Sequence, residues 1–71
     1  MGIFYRSPSP SYPPFVKEGD TANAGDILCI VEAMKVMNEI KANAHCKILK
    51  ILVENGKPVS RGQALFRVQR V

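Results

Sequence analysis

The sequence predicts an all-β fold built from two related halves that close into a small barrel or sandwich. Two observations carry this expectation. From Phe15 onwards, apolar runs of strand length are separated by glycine turns. Residues 15–31 laid over residues 52–68, an offset of 37, match Val16 with Val53, Gly19 with Gly56, Gly25 with Gly62, Leu28 with Leu65 and Val31 with Val68. Glycines at equal spacing mean that the chain turns the same way twice, because each supplies a backbone conformation that costs other residues energy.

In chain order, strands are expected near residues 2–5, 15–16, 20–22, 27–33, 36–43, 46–53, 57–59 and 65–70, with helix absent. Residues 6–14 hold four of the five prolines. They read as a stiff loop, since proline lacks an N–H for a ladder and biases its predecessor towards extended backbone. Lys17-Glu18-Gly19-Asp20 and Ala24-Gly25-Asp26 are turns, and Ile27-Leu28-Cys29-Ile30-Val31 is the strongest strand. One segment conflicts with the pattern. Glu32 to Lys41 is rich in good helix formers, and a two-residue hairpin at Met34-Lys35 would have neither the Asn nor the Gly that tight turns favour.

A chain of 71 residues is one domain. At this size folding buries only about 60% of the surface exposed by the unfolded chain, which favours a binding, carrier or interaction module over a complete enzyme. Hydrophobic content is 46% and charged content 23%, and there is no run of eighteen apolar residues to span a bilayer. The start of the chain does not read as a secretory signal, and a soluble protein with no membrane partner is expected. Cys29 and Cys46 occur without a CxxC motif, and His45 is the one histidine, so no metal site is expected. The cysteines read as free thiols of a reducing compartment, Cys29 buried as a small hydrophobe, and His45 as a loop residue. Although the net charge is +4, Lys17, Lys41, Lys47, Lys50, Lys57, Arg61, Arg67 and Arg70 form no dense run and read as a solvated surface. A nucleic-acid-binding barrel that stacks bases on Phe4, Tyr5, Tyr12 and Phe15 is the rival reading from another class, but no nucleic-acid partner is expected.

Glu32-Ala33-Met34-Lys35, followed by Met37-Asn38-Glu39-Ile40, resembles the attachment motif of biotinyl carrier domains, in particular those of acetyl-CoA carboxylase. The likeness extends through Gly2-x-Phe4-Tyr5-Arg6-Ser7-Pro8, Phe15-Val16, Gly19-Asp20, Leu28-Cys29-Ile30, Ile51-Leu52-Val53 and Gly56-x-Pro58-Val59. Val36 departs mildly from the Met or Leu usual at its place. The resemblance implies a flattened β-barrel of two four-stranded antiparallel sheets with quasi-two-fold symmetry and the modified lysine on a protruding hairpin. It therefore reads Glu32 to Lys41 as strand, turn and strand.

The family usually has glycine where this chain has Cys46, a residue strained there if the position needs positive φ. Aligning Cys46 with Gly2 leaves fourteen positions from Gly2 to Val16 against seven from Cys46 to Val53. The surplus resembles the thumb of the acetyl-CoA carboxylase type, here Ser9, Pro10, Ser11, Tyr12, Pro13, Pro14 and Phe15, anchored by Tyr12 and Phe15. The resemblance also implies a first strand that starts before Gly2, as in the C-terminal domain of a longer carrier cut short at Met1.

The resemblance also implies a function. Lys35 would carry covalent biotin, with Glu32, Ala33, Met34 and Val36 read by a biotin protein ligase, and Met37 packing locally. Lysine suits the role because its stem ends in a primary amine that can become an amide. The domain would serve as a non-catalytic carrier, taking a carboxyl group from biotin carboxylase to carboxyltransferase for malonyl-CoA formation in fatty acid synthesis, in the cytoplasm or a plastid. A lipoyl carrier is the nearer rival, but it would have Asp-Lys-Ala where this chain has Met34-Lys35-Val36.

Overall fold

The computed structural model describes residues 2–71. Its seven strands are β1 (Gly2–Tyr5), β2 (Thr21–Ala22), β3 (Ile27–Ala33), β4 (Val36–Lys41), β5 (Cys46–Ile51), β6 (Pro58–Val59) and β7 (Phe66–Arg70), and no helix occurs among the described residues. They form a four-stranded sheet in the order β4-β3-β1-β6 and a three-stranded sheet in the order β2-β5-β7. Every pairing is antiparallel. The all-β expectation holds, with one difference in strand count. Phe15 and Val16 form no strand, because the Phe15 N–H closes the proline loop on the Arg6 carbonyl at 2.8 Å instead of entering a ladder.

The internal repeat is a structural two-fold. β1 lies between β3 and β6 as β5 lies between β7 and β2. The registers correspond: Gly2 opposite Val59 matches Cys46 opposite Ala22, and Phe4 opposite Val31 matches Ile48 opposite Val68. All four repeat glycines have positive φ: Gly19 at 94° and Gly56 at 81°, Gly25 at 92° and Gly62 at 82°. The turns that contain the second glycine of each half are braced alike. The Asn23 N–H donates to Asp26 Oδ2 at 2.8 Å, and the Ser60 N–H to Gln63 Oε1 at 3.0 Å.

Two apolar clusters fill the interior. One gathers Val16, Ala22, Leu28, Ala42, Cys46 and Ile48, and the other Phe4, Cys29, Val53 and Val59. Ile51 and Phe66 border both, and the Phe66 ring lies 5.9 Å from that of Phe4 between centroids. The repeat valines Val16 and Val53 thus anchor opposite clusters.

Cys46 is not strained, since the positive-φ residues other than glycine are Met34 and Lys35. It is a buried strand residue paired with Ala22 and Arg70. At the equivalent position glycine is needed for a different reason. A Cβ on Gly2 would stand 2.6 Å from both the Glu32 carbonyl oxygen and Val31 Cγ1. Both cysteines are free thiols. The implied beginning of the first strand before Gly2 lies outside the described residues.

Candidate functional site

β3 and β4 form a long antiparallel hairpin with Ile30 opposite Glu39, Glu32 opposite Met37 and Ala33 opposite Val36. Only Met34 and Lys35 remain for the loop. Both take positive φ, 51° and 63°, the combination required by the type I′ turn whose twist matches the flanking strands. The helix-prone segment from Glu32 to Lys41 is strand, turn and strand because this pairing, with Val31 and Ile40 packed against the Phe4 cluster, outweighs local propensity.

Placing two side-chain-bearing residues in the left-handed region costs about 1 kcal/mol or more each. In return the tip is fully presented. Met34 is 94% exposed, Lys35 is exposed, and Val36 and Met37 are about half exposed at 55% and 52%. Glu32 and Ala33 lie at the base and are half-buried. Met37 is therefore open to solvent rather than packed, a correction to the sequence expectation. The bulge between Ile27 and Cys29 marks the other end of the β3 and β4 ladder, so the register towards the tip is unbroken. Asn38 Nδ2 donates to the Val31 carbonyl at 3.2 Å, tying β4 to β3 below the tip. Sequence reasoning gives Asn38 no role, and its place in the Glu32 to Asn38 stretch is the available signal.

The proline loop folds back on itself. The Tyr12 N–H donates to the Ser9 carbonyl at 3.0 Å, Ser7 Oγ donates to the same carbonyl at 2.9 Å, and the Arg6 N–H donates to Asn55 Oδ1 at 2.8 Å. Phe15 is half-buried, but Tyr12 is 59% exposed and provides no anchor, so hydrogen bonds at the base replace one of the two expected aromatic contacts. The loop approaches the hairpin across a cleft of about 180 Å³, lined on one side by Ser7 to Pro10 and on the other by Glu32 and Met37. No group of three or more His, Cys, Asp and Glu residues able to hold a metal occurs among the described residues.

Two β halves related by a pseudo-two-fold, joined by a hairpin that holds one lysine at an exposed and conformationally costly tip, define a lysine-presenting carrier domain. The family model described as "Biotin-requiring enzyme" matches residues 1–68. The chain belongs to this family. It is 53% identical over 96% of its length to the biotin carboxyl carrier protein of acetyl-CoA carboxylase of Chlamydia trachomatis, covering 42% of that protein. It is also 53% identical over 96% of its length to the protein of the same description from Pseudomonas aeruginosa, covering 44% of it. With the chloroplastic biotin carboxyl carrier protein of acetyl-CoA carboxylase 2 from Arabidopsis thaliana it shares 57% identity over 92% of the chain and 26% of the relative. The chain thus spans less than half the length of these curated relatives.

Proposed function

We propose that this chain is the biotin-bearing domain of a biotin carboxyl carrier protein of acetyl-CoA carboxylase, with biotin joined as an amide to Lys35 Nζ. The observation that carries the reading is the tip itself: two residues adopt a costly positive φ to hold Lys35 clear of the body. The residues present fit such a group, because the amine stands on a two-residue turn with exposed neighbours on both sides. Biotin supplies a ureido nitrogen that accepts and releases a carboxyl group. The chain's own part is mechanical. β3 and β4 pair right up to the turn, Asn38 ties the two strands together through the Val31 carbonyl, and Glu32, Ala33, Met34 and Val36 offer a biotin protein ligase a shape to read. Tethering raises the local concentration of the carried group at each partner active site, so weak docking to biotin carboxylase and to carboxyltransferase suffices. No general base or oxyanion hole is required of the domain, which acts as carrier rather than catalyst for malonyl-CoA formation.

Ser9 to Phe15 serve in this reading as the thumb beside the tip, supported by the cleft that the loop shares with Glu32 and Met37. The domain is one part of a longer carrier whose upstream residues add a strand. Two observations support this: β4 has no counterpart among the described strands of the second half, and the relatives are more than twice as long. A cytoplasmic or plastid setting accords with two free buried thiols and with the chloroplastic plant relatives.

Intact-mass measurement after co-expression with biotin ligase tests the assignment. The wild-type chain gains one biotinyl group and Lys35→Arg gains none while keeping its fold. A biotinylated Lys35→Arg chain, or a lipoyl group added in preference when the lipoyl ligase is supplied, would overturn it.

A further inference from the structure

The two-fold that relates the backbones of the halves does not relate their chemistry. On the outer face of the four-stranded sheet, β1, β3 and β4 place Ile3, Tyr5, Glu32, Met37 and Glu39, whose neighbours Phe4, Val31 and Ile40 face the core. On the three-stranded sheet, Cys46 and Ile48 face inward, so Lys47 faces out. Val68 is the partner of Ile48, so its neighbour Arg67 faces out, and Arg67 lies directly opposite Lys50. The two-fold thus maps Ile3 onto Lys47 and Glu32 onto Gln69.

Lys47, Lys50 and Arg67 are all exposed, and β2, β5 and β7 carry no Asp or Glu. The cross-strand neighbours of Lys47 are Thr21 and Gln69, while Lys50 and Arg67 face one another, a like-charge arrangement that destabilises a sheet. The acids that contact this sheet lie in the turn before β2: the Asp20 carbonyl accepts the Ile48 N–H at 2.8 Å while its carboxylate Oδ2 accepts the Lys17 N–H at 2.8 Å, and Glu18 Oε2 accepts the Ile51 N–H at 3.0 Å. The bulge between Ile48 and Lys50 adds Leu49, 43% exposed, to the same stretch.

We infer that the outer face of the three-stranded sheet, centred on Lys47, Lys50 and Arg67, docks an acidic protein surface at a site separate from the lysine tip. An acidic partner is selected by charge complementarity, since it would relieve the repulsion between Lys50 and Arg67 and pair cations left without acids on their own sheet. A protein is favoured over nucleic acid because the face carries no aromatic for base stacking, Phe66 being turned to the core. A bilayer is disfavoured because three cations and one half-exposed leucine offer little to insert.

The test is binding of a poly-glutamate peptide to the 71-residue chain at low salt, compared between two double variants of equal net charge. Lys47→Glu with Lys50→Glu reverses the face, and Lys57→Glu with Arg61→Glu reverses charges off it. The face variant is expected to lose roughly tenfold or more in affinity and the control less than roughly threefold. Equal losses would reduce the effect to net charge and overturn the site. Lys47→Gln with Lys50→Gln, which introduces no new charge, is expected to fall between wild type and the reversal; if it binds as well as wild type, the site is also wrong. An oligonucleotide or phosphatidylserine vesicles held more tightly than poly-glutamate at the same salt would overturn the choice of a protein partner.

Discussion

Phe4 and Ile48 occupy one position twice. Each is fully buried, and each ties its strand to the glycine turn beside it: Phe4 donates to the Lys57 carbonyl at 2.9 Å and accepts from the Gly56 N–H at 2.7 Å, while Ile48 donates to the Asp20 carbonyl at 2.8 Å and accepts from the Gly19 N–H at 2.7 Å. Each is the centre of one apolar cluster. Truncation at either place therefore empties half of a small core. Ile48→Ala should cost about 2–5 kcal/mol and Phe4→Ala about 3–5 kcal/mol in urea unfolding. A loss below about 1 kcal/mol for either would show that the two clusters do not act as the core.

The equivalence of Gly2 and Cys46 yields a second, asymmetric prediction. The backbone of β1 passes so close to β3 that a Cβ on Gly2 meets a carbonyl oxygen and Val31 Cγ1 at 2.6 Å, whereas β5 already accommodates a thiol-bearing side chain. Gly2→Ala should destabilise by about 1–3 kcal/mol through overpacking. Cys46→Ala removes one small buried atom and should cost less than about 1.5 kcal/mol. Thermal melts of both variants decide the matter, and a larger loss for Cys46→Ala would contradict the close approach.

Much of this architecture is legible in the sequence because glycine reports backbone geometry directly. Gly19, Gly25, Gly56 and Gly62 each mark a positive φ, so equal spacing in the chain means equal turns in space. The surplus of seven residues in the first half is legible for the same reason, since Phe4 and Ile48 occupy matched registers 44 apart while the later repeats are 37 apart. The tip is not legible from propensity. Met34 and Lys35 are held in left-handed backbone by the ladder around them, and nothing in their chemistry announces it. The basic face is hidden in the sequence because its charges are dispersed along the chain: Lys47 and Lys50 flank a bulge, and Arg67 joins them only by strand pairing. Tyr12 looks like an anchor in the sequence, but the loop's hydrogen bonds, invisible in composition, already close it.

Cys29 gives a prediction about pH. It is fully buried in the Phe4 cluster, and burial pushes its thiol up to about 11 from an ordinary 9.0. Between these values the unfolded chain loses the proton while the native chain keeps it, so the unfolded state binds fewer protons and stability falls as pH rises. The stability of wild type relative to Cys29→Ala should accordingly fall by about 2 kcal/mol from about pH 9 to about pH 11, and stay constant below about pH 8. Urea titrations at several pH values measure it, and a wild type that gained stability relative to the variant towards alkaline pH would have the wrong sign. In the same range iodoacetamide should leave Cys29 unmodified in the native chain and alkylate it on unfolding.

The strain at the tip separates stability from function. Met34 sits at φ 51° with its side chain almost wholly in solvent, so the fold gains little from methionine there and bears a backbone cost. Asparagine tolerates that conformation far better and favours the first loop position of a type I′ turn. Met34→Asn should therefore stabilise the domain by about 0.5–1 kcal/mol in urea unfolding, with the β3 and β4 register unchanged. If the exposed methionine is retained for recognition, the same change should slow biotin transfer to Lys35 by roughly tenfold, the loss expected when one well-buried apolar contact with the ligase disappears. The two readouts are independent. A more stable variant that is biotinylated at the wild-type rate would mean that Met34 contributes nothing to the ligase and that the lysine is read through its other neighbours. A variant that is neither more stable nor slower would mean that the positive φ of this turn is not strained at all.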